Sequence, residues 1–402
     1  MRTRVLMFGW EFPPFNSGGL GVACLGLTKA LSVLGSEILF VMPKRLDIRA
    51  PWTQLIFADE ADITVHTYNS ALTPYITSKS YSRGEGEGGS IYAGDLFGEV
   101  ERYARFGARI ASKERFDIIY AHDWLSFGAG MAAKRATGKP LIVHVHATEF
   151  DRSGGLNVNQ HVYDIERAGM QRADCVIAVS EFTKRIIVER YGVPADKVKV
   201  VYNGIDETTA PTHEYELSRL RALKRSGYKL VLFLGRITLQ KGPDYFLQAA
   251  ARVLKYEKNV LFVVSGSGDM EAQMMQLAGS LGIAHAVFFT GFLHGKERDE
   301  IYSAADLFVM PSVSEPFGIA ALEAMRLGAP IIISKQSGVA EVVRNALKVD
   351  FWDVEKMADM ILGVLRSPAL RYSMAEHGKR EAENLTWEEA ARKVDGIIHQ
   401  LV

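Results

Sequence analysis

Along most of the chain, short apolar runs alternate with longer stretches whose apolar positions recur every three or four residues. The first pattern marks strands buried on both faces and the second marks helices with one covered side. Their alternation predicts an α/β architecture of doubly wound, mainly parallel sheets. Apolar runs fall at 5–8, 38–42, 116–121, 141–145, 175–179, 198–201, 230–234, 260–264, 286–289, 307–310 and 331–334. Helices are expected at 22–34, 99–113, 244–254 and 353–365, in a segment running to Tyr191, and in a tail capped by Thr386.

The rhythm is lost twice. Between 43 and 95 it gives way to polar text with a Gly- and Glu-rich run at 82–90, too charged to pack and expected to be a mobile loop. From 206 to 227 the chain is again charged and polar, and the interdomain connection is placed there. A chain of 402 residues exceeds the usual single core, so two domains are expected, 1–205 and 206–383, followed by a helical tail at 384–402.

Residues 311–330 read as a loop, a helix and the approach to the next strand. Ser314 or Glu315 is positioned to cap the helix, Pro316 suits its first turn, and Gly328 closes it before Pro330. Backbone amides at such a helix start favour an anion, and Gly318 lets a ligand approach the main chain. Glu315 and Glu323 suit hydroxyls, since carboxylates accept hydrogen bonds. A ligand anionic in the middle and hydroxylated at both ends, such as a nucleotide sugar, fits this arrangement. The alternative is structural: Glu315 a cap, Glu323 a solvated or paired charge.

Other strand ends carry similar chemistry. Gly18, Gly19 and Gly21 stand where the first strand meets the first helix, a position for binding phosphate or for a tight turn. His122 and Asp123 end one run, and His146 ends another, with Glu149 nearby. Arg236 and Lys241 bracket a loop between a strand end and a helix start, where two cations oppose the charge of a leaving diphosphate. Gly266 and Gly268 follow a further strand and are expected to let a nucleotide lie against the main chain.

These motifs resemble those of retaining glycosyltransferases of the GT-B fold, family four, and the resemblance covers nearly the whole chain. Glu-Pro-Phe-Gly at 315–318, with a second Glu eight positions after the first, is similar to the Glu-x7-Glu signature. Trp-Glu-Phe-Pro-Pro at 10–14, His-Asp-Trp at 122–124 and His-Ala-Thr-Glu-Phe-Asp-Arg at 146–152 resemble glycogen and starch synthases. The Lys usual before the glycine pair is replaced by Asn16-Ser17. The resemblance implies two Rossmann-like domains facing across a cleft, closing on the donor, with the last helix returning to the first domain. It assigns Arg236 and Lys241 to the diphosphate, Glu315 to the donor sugar, Glu323 to the ribose, and the amides of Ile319 and Ala320 to the phosphates. Phe292 and Phe317 join the donor set, His146 contacts the donor sugar, and His122, Asp123 and Trp124 lie on the acceptor side. The implied reaction transfers a sugar, with glucose from UDP- or ADP-glucose favoured, to a carbohydrate hydroxyl. An α-glucan acceptor is favoured over a lipid-linked or surface glycan. A nucleotide-sugar epimerase and a non-catalytic nucleotide-sugar sensor are the readings from other classes.

Composition narrows the partners. The 47 basic and 47 acidic residues balance, which argues against a dedicated nucleic-acid binder. The arginines at 102, 105 and 109 line one helix side, but interspersed glutamates favour a solvated face over a peripheral membrane contact. No run is long enough to span a bilayer, and the N-terminal apolar stretch is too short for a signal peptide. Cys24 and Cys175 read as core residues of a reduced, cytoplasmic protein. No Asp-x-Asp motif is present, so neither a metal nor a cofactor is expected.

Overall fold

A computed structural model describes residues 2–13, 18–44, 50–58, 96–155, 157–205, 218–293 and 295–402, with the backbone alone at 218–221. Asn16-Ser17, the 82–90 run and most of the expected connection lie outside the described residues. The chain forms two compact units, Met1–Gly204 together with Thr386–Val402, and Ile205–Leu385.

In the first unit the order is β1 (Arg4–Phe8), α1 (Gly19–Val33), β2 (Glu37–Met42), β3 (Gln54–Phe57), α2 (Leu96–Lys113), β4 (Ile118–His122), α3 (Asp123–Thr137) and β5 (Leu141–Val145). It continues with α4 (Glu149–Arg152), α5 (Gln160–Arg172), β6 (Cys175–Ala178), α6 (Glu181–Tyr191) and β7 (Val198–Val200). All seven strands are parallel, in the order β3-β2-β1-β4-β5-β6-β7. β1, β4 and β5 are almost wholly buried, which is why they read as continuous apolar runs.

The second unit runs α7 (Ser218–Arg225), β8 (Lys229–Leu234), α8 (Pro243–Tyr256), β9 (Val260–Ser265), α9 (Glu271–Ser280), β10 (Val287–Gly291), α10 (Gly295–Ala304) and β11 (Leu307–Met310). After these come α11 (Ile319–Arg326), β12 (Ile331–Ser334), α12 (Val339–Val342), β13 (Leu347–Val349), α13 (Val354–Arg366) and α14 (Pro368–Ala382). Its parallel sheet has the order β10-β9-β8-β11-β12-β13. Each unit thus has its own doubly wound, Rossmann-like sheet and its own apolar core.

The chain returns to the first unit through α15 (Trp387–Leu401), whose cap Thr386 accepts from the Glu389 amide. Buried Trp387 fills the space beside Gly26 of α1, where a Cβ would lie 2.3 Å from the indole ring.

Four expectations need correcting. α1 begins at Gly19, three residues before the expected start at Val22, so Gly19 and Gly21 belong to its first turn and not to a loop. β3 lies in a stretch with no predicted element. Among the described residues it pairs with β2 alone, and it is only partly buried, so its apolar signal is weak. α14 is absent from the expected set because the residues it buries are Met374, Gly378 and Ala382, two of them too small to register as an apolar stripe. The helix of 311–330 begins at Ile319, so neither Ser314 nor Glu315 caps it and Pro316 is outside its first turn.

Candidate active site

In the second unit the strand order reverses between β8 and β11. Loops leaving the carboxyl ends of strands at such a switch point are where an open α/β sheet binds ligands. The loop after β8 carries Arg236, then a single turn of tight helix at Leu239–Lys241, before α8 begins. The loop after β11 carries 311–318 and leads into α11.

These loops are tied together by Gln240, which sequence reasoning did not single out. Its buried side-chain amide accepts from Arg236 Nη2 at 3.0 Å and donates to the Ser314 carbonyl at 3.1 Å. Its own carbonyl accepts from the Val313 amide at 2.9 Å. One residue therefore orients the guanidinium and fixes the neighbouring loop. Its only sequence signal was a polar residue between two cations.

Lys241 and Glu315 are brought together: the ammonium donates to Glu315 Oε2, which also accepts from Ser312 Oγ at 3.1 Å. Glu315 is buried and its backbone is held by an isolated bridge to Ser337 in the loop after β12, its amide donating to the Gln336 carbonyl and its carbonyl accepting from the Gly338 amide. That pairing delays the helix until Ile319. Gly318 occupies the N-cap with φ +112°, a conformation costly for a residue with a Cβ, and offers no side chain to cap the amides of α11.

Glu323, in the body of α11, is partly buried. Its carboxylate pairs with Arg298 Nη1 at 3.1 Å and accepts from the Tyr302 hydroxyl at 3.2 Å, both from α10. Gly266 and Gly268 are required by the chain itself. A Cβ on Gly266 would lie 1.9 Å from the Gly235 carbonyl oxygen and one on Gly268 2.3 Å from that of Ile237, because the loops after β8 and β9 cross backbone to backbone. Phe292, just past β10, is exposed. Phe317 is buried in the core, so its ring is a packing element and only its main chain is placed to meet a ligand.

In the first unit the switch lies between β1 and β4. Gly18 is the N-cap of α1, with extended backbone and open space where a Cβ would sit. His122 ends β4, and Asp123 follows with φ +56°, an uncommon conformation for a residue with a side chain. The Asp123 carboxylate accepts from the amides of His146 at 2.7 Å and Ala147 at 3.3 Å. Of the three residues expected on the acceptor side, Asp123 shapes the turn that carries His146, while His122 and Trp124 are buried, Trp124 packing near Phe97.

The same turn is held from behind by a buried ionic network. Arg152 reaches the carboxylates of Glu149 and Glu166 and donates to the Ala147 carbonyl at 3.0 Å. Glu166 also accepts from the Glu149 amide at 3.0 Å and from the Tyr191 hydroxyl. Thr148 and Asp151 form a capping box on α4. Glu149 is therefore an internal ion-pair partner, since its carboxylate is almost wholly buried against Arg152. Glu166 and Tyr191, far away in sequence, gave no local signal.

Burial sets the charge states here. It raises Asp123 to about 7, opposed by Arg152 and the two amides, and raises Glu166 to about 7, opposed by Arg152 and Tyr191. It pushes His122 and His144 down, assisted by their histidine neighbours, and lowers His146 to about 3, so all three imidazoles are neutral near pH 7.

Residues 17–209 match the family Glycosyltransferase Family 4, and residues 216–381 match Glycosyl transferases group 1. The chain is 31% identical over 304 residues to the D-inositol 3-phosphate glycosyltransferase of Thermobifida fusca, covering 70% of this chain and 68% of that one. The chain belongs to the group 1 glycosyltransferases. Other relatives of this glycosyltransferase align from end to end. An uncharacterized glycosyltransferase of Methanocaldococcus jannaschii is 29% identical, covering 98% of this chain and 97% of that one. The glycogen synthase of Mycobacterium tuberculosis is 26% identical, covering 96% and 92%. Two solved structures share the fold. The sucrose-phosphate synthase of Thermosynechococcus elongatus has TM-score 0.77 and 21% identity, covering 100% of this chain and 99% of that one. Anabaena HepE in complex with UDP and glucose has TM-score 0.73 and 19% identity, covering 100% of both. This glycosyltransferase therefore has the two Rossmann-like halves of the GT-B fold, and its chemistry is sugar transfer. Among its described residues no helix is long and apolar enough to cross a membrane.

Proposed function

We propose that the chain is a retaining, metal-independent glycosyltransferase moving glucose from UDP- or ADP-glucose to a carbohydrate hydroxyl, with elongation of an α-glucan as the favoured reaction. The observation that carries this reading is the arrangement around Gln240. Two cations, Arg236 and Lys241, are fixed in one loop and tied to the loop that opens α11. Guanidinium, ammonium and helix-start amides are donors matched to a diphosphate. The relationship to glycogen synthase and the likeness to a fold that holds UDP and glucose in HepE support the glucosyl donor and the glucan acceptor.

In this reading the bond from the anomeric carbon to the diphosphate oxygen breaks, and the oxygen keeps the electron pair. Arg236, Lys241 and the amides of Ile319 and Ala320 stabilise that charge, the work otherwise done by a divalent ion. The acceptor oxygen bonds to the anomeric carbon on the face the diphosphate leaves, and its proton passes to the departing phosphate oxygen. Lys241 has three donors, so its bond to Glu315 leaves it able to bind phosphate while Glu315 accepts from a sugar hydroxyl. Glu323 accepts from the ribose. Neutral His146 is a hydrogen-bonding partner for the donor sugar, held in place by Asp123.

A panel of nucleotide sugars, read by thermal shift and by released nucleoside diphosphate, tests the reading. Binding raises stability with the logarithm of ligand concentration over its dissociation constant, so the preferred donor stands out. UDP- or ADP-glucose should give the largest shift and should release diphosphate on addition of glucan. Release of no diphosphate from any member would overturn the proposal.

A further inference from the structure

His122 and His144 are register partners on the adjacent parallel strands β4 and β5, and His146 lies two residues beyond His144, on the same side of the chain. Strand geometry thus gathers three imidazoles in one place. The ring of His146 lies 4.1 Å from that of His144 and 5.2 Å from that of His122, centroid to centroid. One nitrogen from each ring falls within 4.8 Å of the others. His122 Nδ1 and His146 Nε2 are 2.9 Å apart and share a single proton.

This cluster holds more hydrogen-bonding capacity than the protein uses. Among the described residues the Nε2 atoms of His122 and His144 are buried and unpartnered, an uncommon state for an imidazole nitrogen. His144 is oriented through its other nitrogen, with Tyr120 OH 2.8 Å from Nδ1. A hydrogen-bond partner on one ring nitrogen fixes the ring and leaves the other nitrogen for an ion, which is how metal-bound histidines are supported.

We propose that His122, His144 and His146 bind one divalent transition-metal ion of the kind that prefers imidazole, such as zinc. Nitrogens around a tetrahedral zinc at about 2.0–2.1 Å lie roughly 3.3 Å apart, so the close pair opens slightly and the His144 ring turns toward it. His144 ligates through Nε2 while its Nδ1 proton is donated to Tyr120. The proton shared by His122 and His146 moves to the outer nitrogen of its ring, so all three ligands stay neutral and no proton is lost. The fourth position is open to water on the side of the partly buried His146. An ion bound there engages His146, the residue that the transferase reading assigns to the donor sugar. The ion is therefore inhibitory, and this consequence alone rests on that reading.

The test uses the full chain, stripped with a chelator and dialysed against zinc, with metal content measured by mass spectrometry and affinity by cobalt(II) absorbance. Wild type should take up one equivalent and gain thermal stability with zinc. His144→Phe should abolish the uptake. Tyr120→Phe keeps all three ligands and should weaken binding about tenfold to a hundredfold. This second variant keeps the proposal testable even where His144→Phe does not fold. Lack of stoichiometric uptake by wild type, or uptake unchanged by both substitutions, overturns the site. Neither readout involves a sugar donor, so failure here and failure of the transferase reading are separate results.

Discussion

Arg236 donates its Nη2 to the side-chain carbonyl of Gln240, four residues on, at 3.0 Å, and this one bond couples the guanidinium to the loop that opens α11. Removing either cation should lower turnover about a hundredfold, the order expected for losing one preorganised charge facing a developing anion. Gln240→Ala leaves both cations in place but removes the Gln240 bond to Arg236 and the side-chain donor to the Ser314 carbonyl. Turnover should fall about tenfold with a modest loss of stability, roughly 1 kcal/mol for each hydrogen bond lost. Steady-state kinetics at saturating donor for Arg236→Ala, Lys241→Ala and Gln240→Ala check this. Near-wild-type turnover in the two cation variants would remove the diphosphate role.

Two glycines separate architecture from ligand binding. Gly266 has φ +132° and no room for a Cβ, so Gly266→Ala should cost roughly 3 kcal/mol or more in denaturant unfolding. Gly18 has open space and extended backbone, so Gly18→Ala should change stability by no more than about 1 kcal/mol. If its main chain meets the donor phosphates, donor KM should still rise about tenfold. An unchanged donor KM in Gly18→Ala would take Gly18 out of the donor site.

The buried carboxyl of Asp123 gives a pH signature. Burial raises it to about 7 from an ordinary 3.8, so between those values the folded protein keeps a proton that the unfolded chain releases. Stability from this group therefore falls as pH rises through that window and is level above it. Asp123→Asn cannot ionise, tolerates the positive φ and keeps an acceptor for the His146 amide. The buried histidines pull the opposite way on acidification, but they do so in both proteins. The variant's stability relative to wild type should rise from about pH 5 to about pH 7 and then stay constant. A difference that does not vary with pH would contradict the buried-carboxyl assignment.

With two cations and helix-start amides opposing the diphosphate, transfer should not need a divalent ion. Activity should survive excess chelator. Loss with EDTA and recovery with magnesium or manganese would contradict this, whereas relief of inhibition by chelator would agree with an ion held by the three histidines.

The sequence disclosed what is local and strongly patterned. The apolar runs of β4, β5, β8, β9 and β11 stood out because these strands are buried on both faces. The edge strand β3 and the small-residue face of α14 did not, because neither buries enough large apolar side chains. At the site, Arg236, Lys241, Glu315 and His146 were visible as unusual residues at strand ends. Their partners were not, because Gln240, Arg298, Glu166 and Tyr191 acquire their roles only through tertiary hydrogen bonds. Glu315 was misread as a cap because its backbone pairs with Ser337, 22 residues on, a tertiary contact that local capping rules do not contain. The burial of Trp124 was not legible either, because it depends on Asp123 turning the chain at φ +56°.

The central claim is that a glucosyl group leaves a nucleoside diphosphate and arrives on a glucan hydroxyl with its anomeric configuration kept. Proton NMR of the anomeric region during turnover tests this most directly. The α-anomeric signal of UDP- or ADP-glucose should decline while a new α-glycosidic signal and free nucleoside diphosphate grow in equal amounts. A β-configured product, or a donor signal that persists with every nucleotide sugar offered, would contradict it.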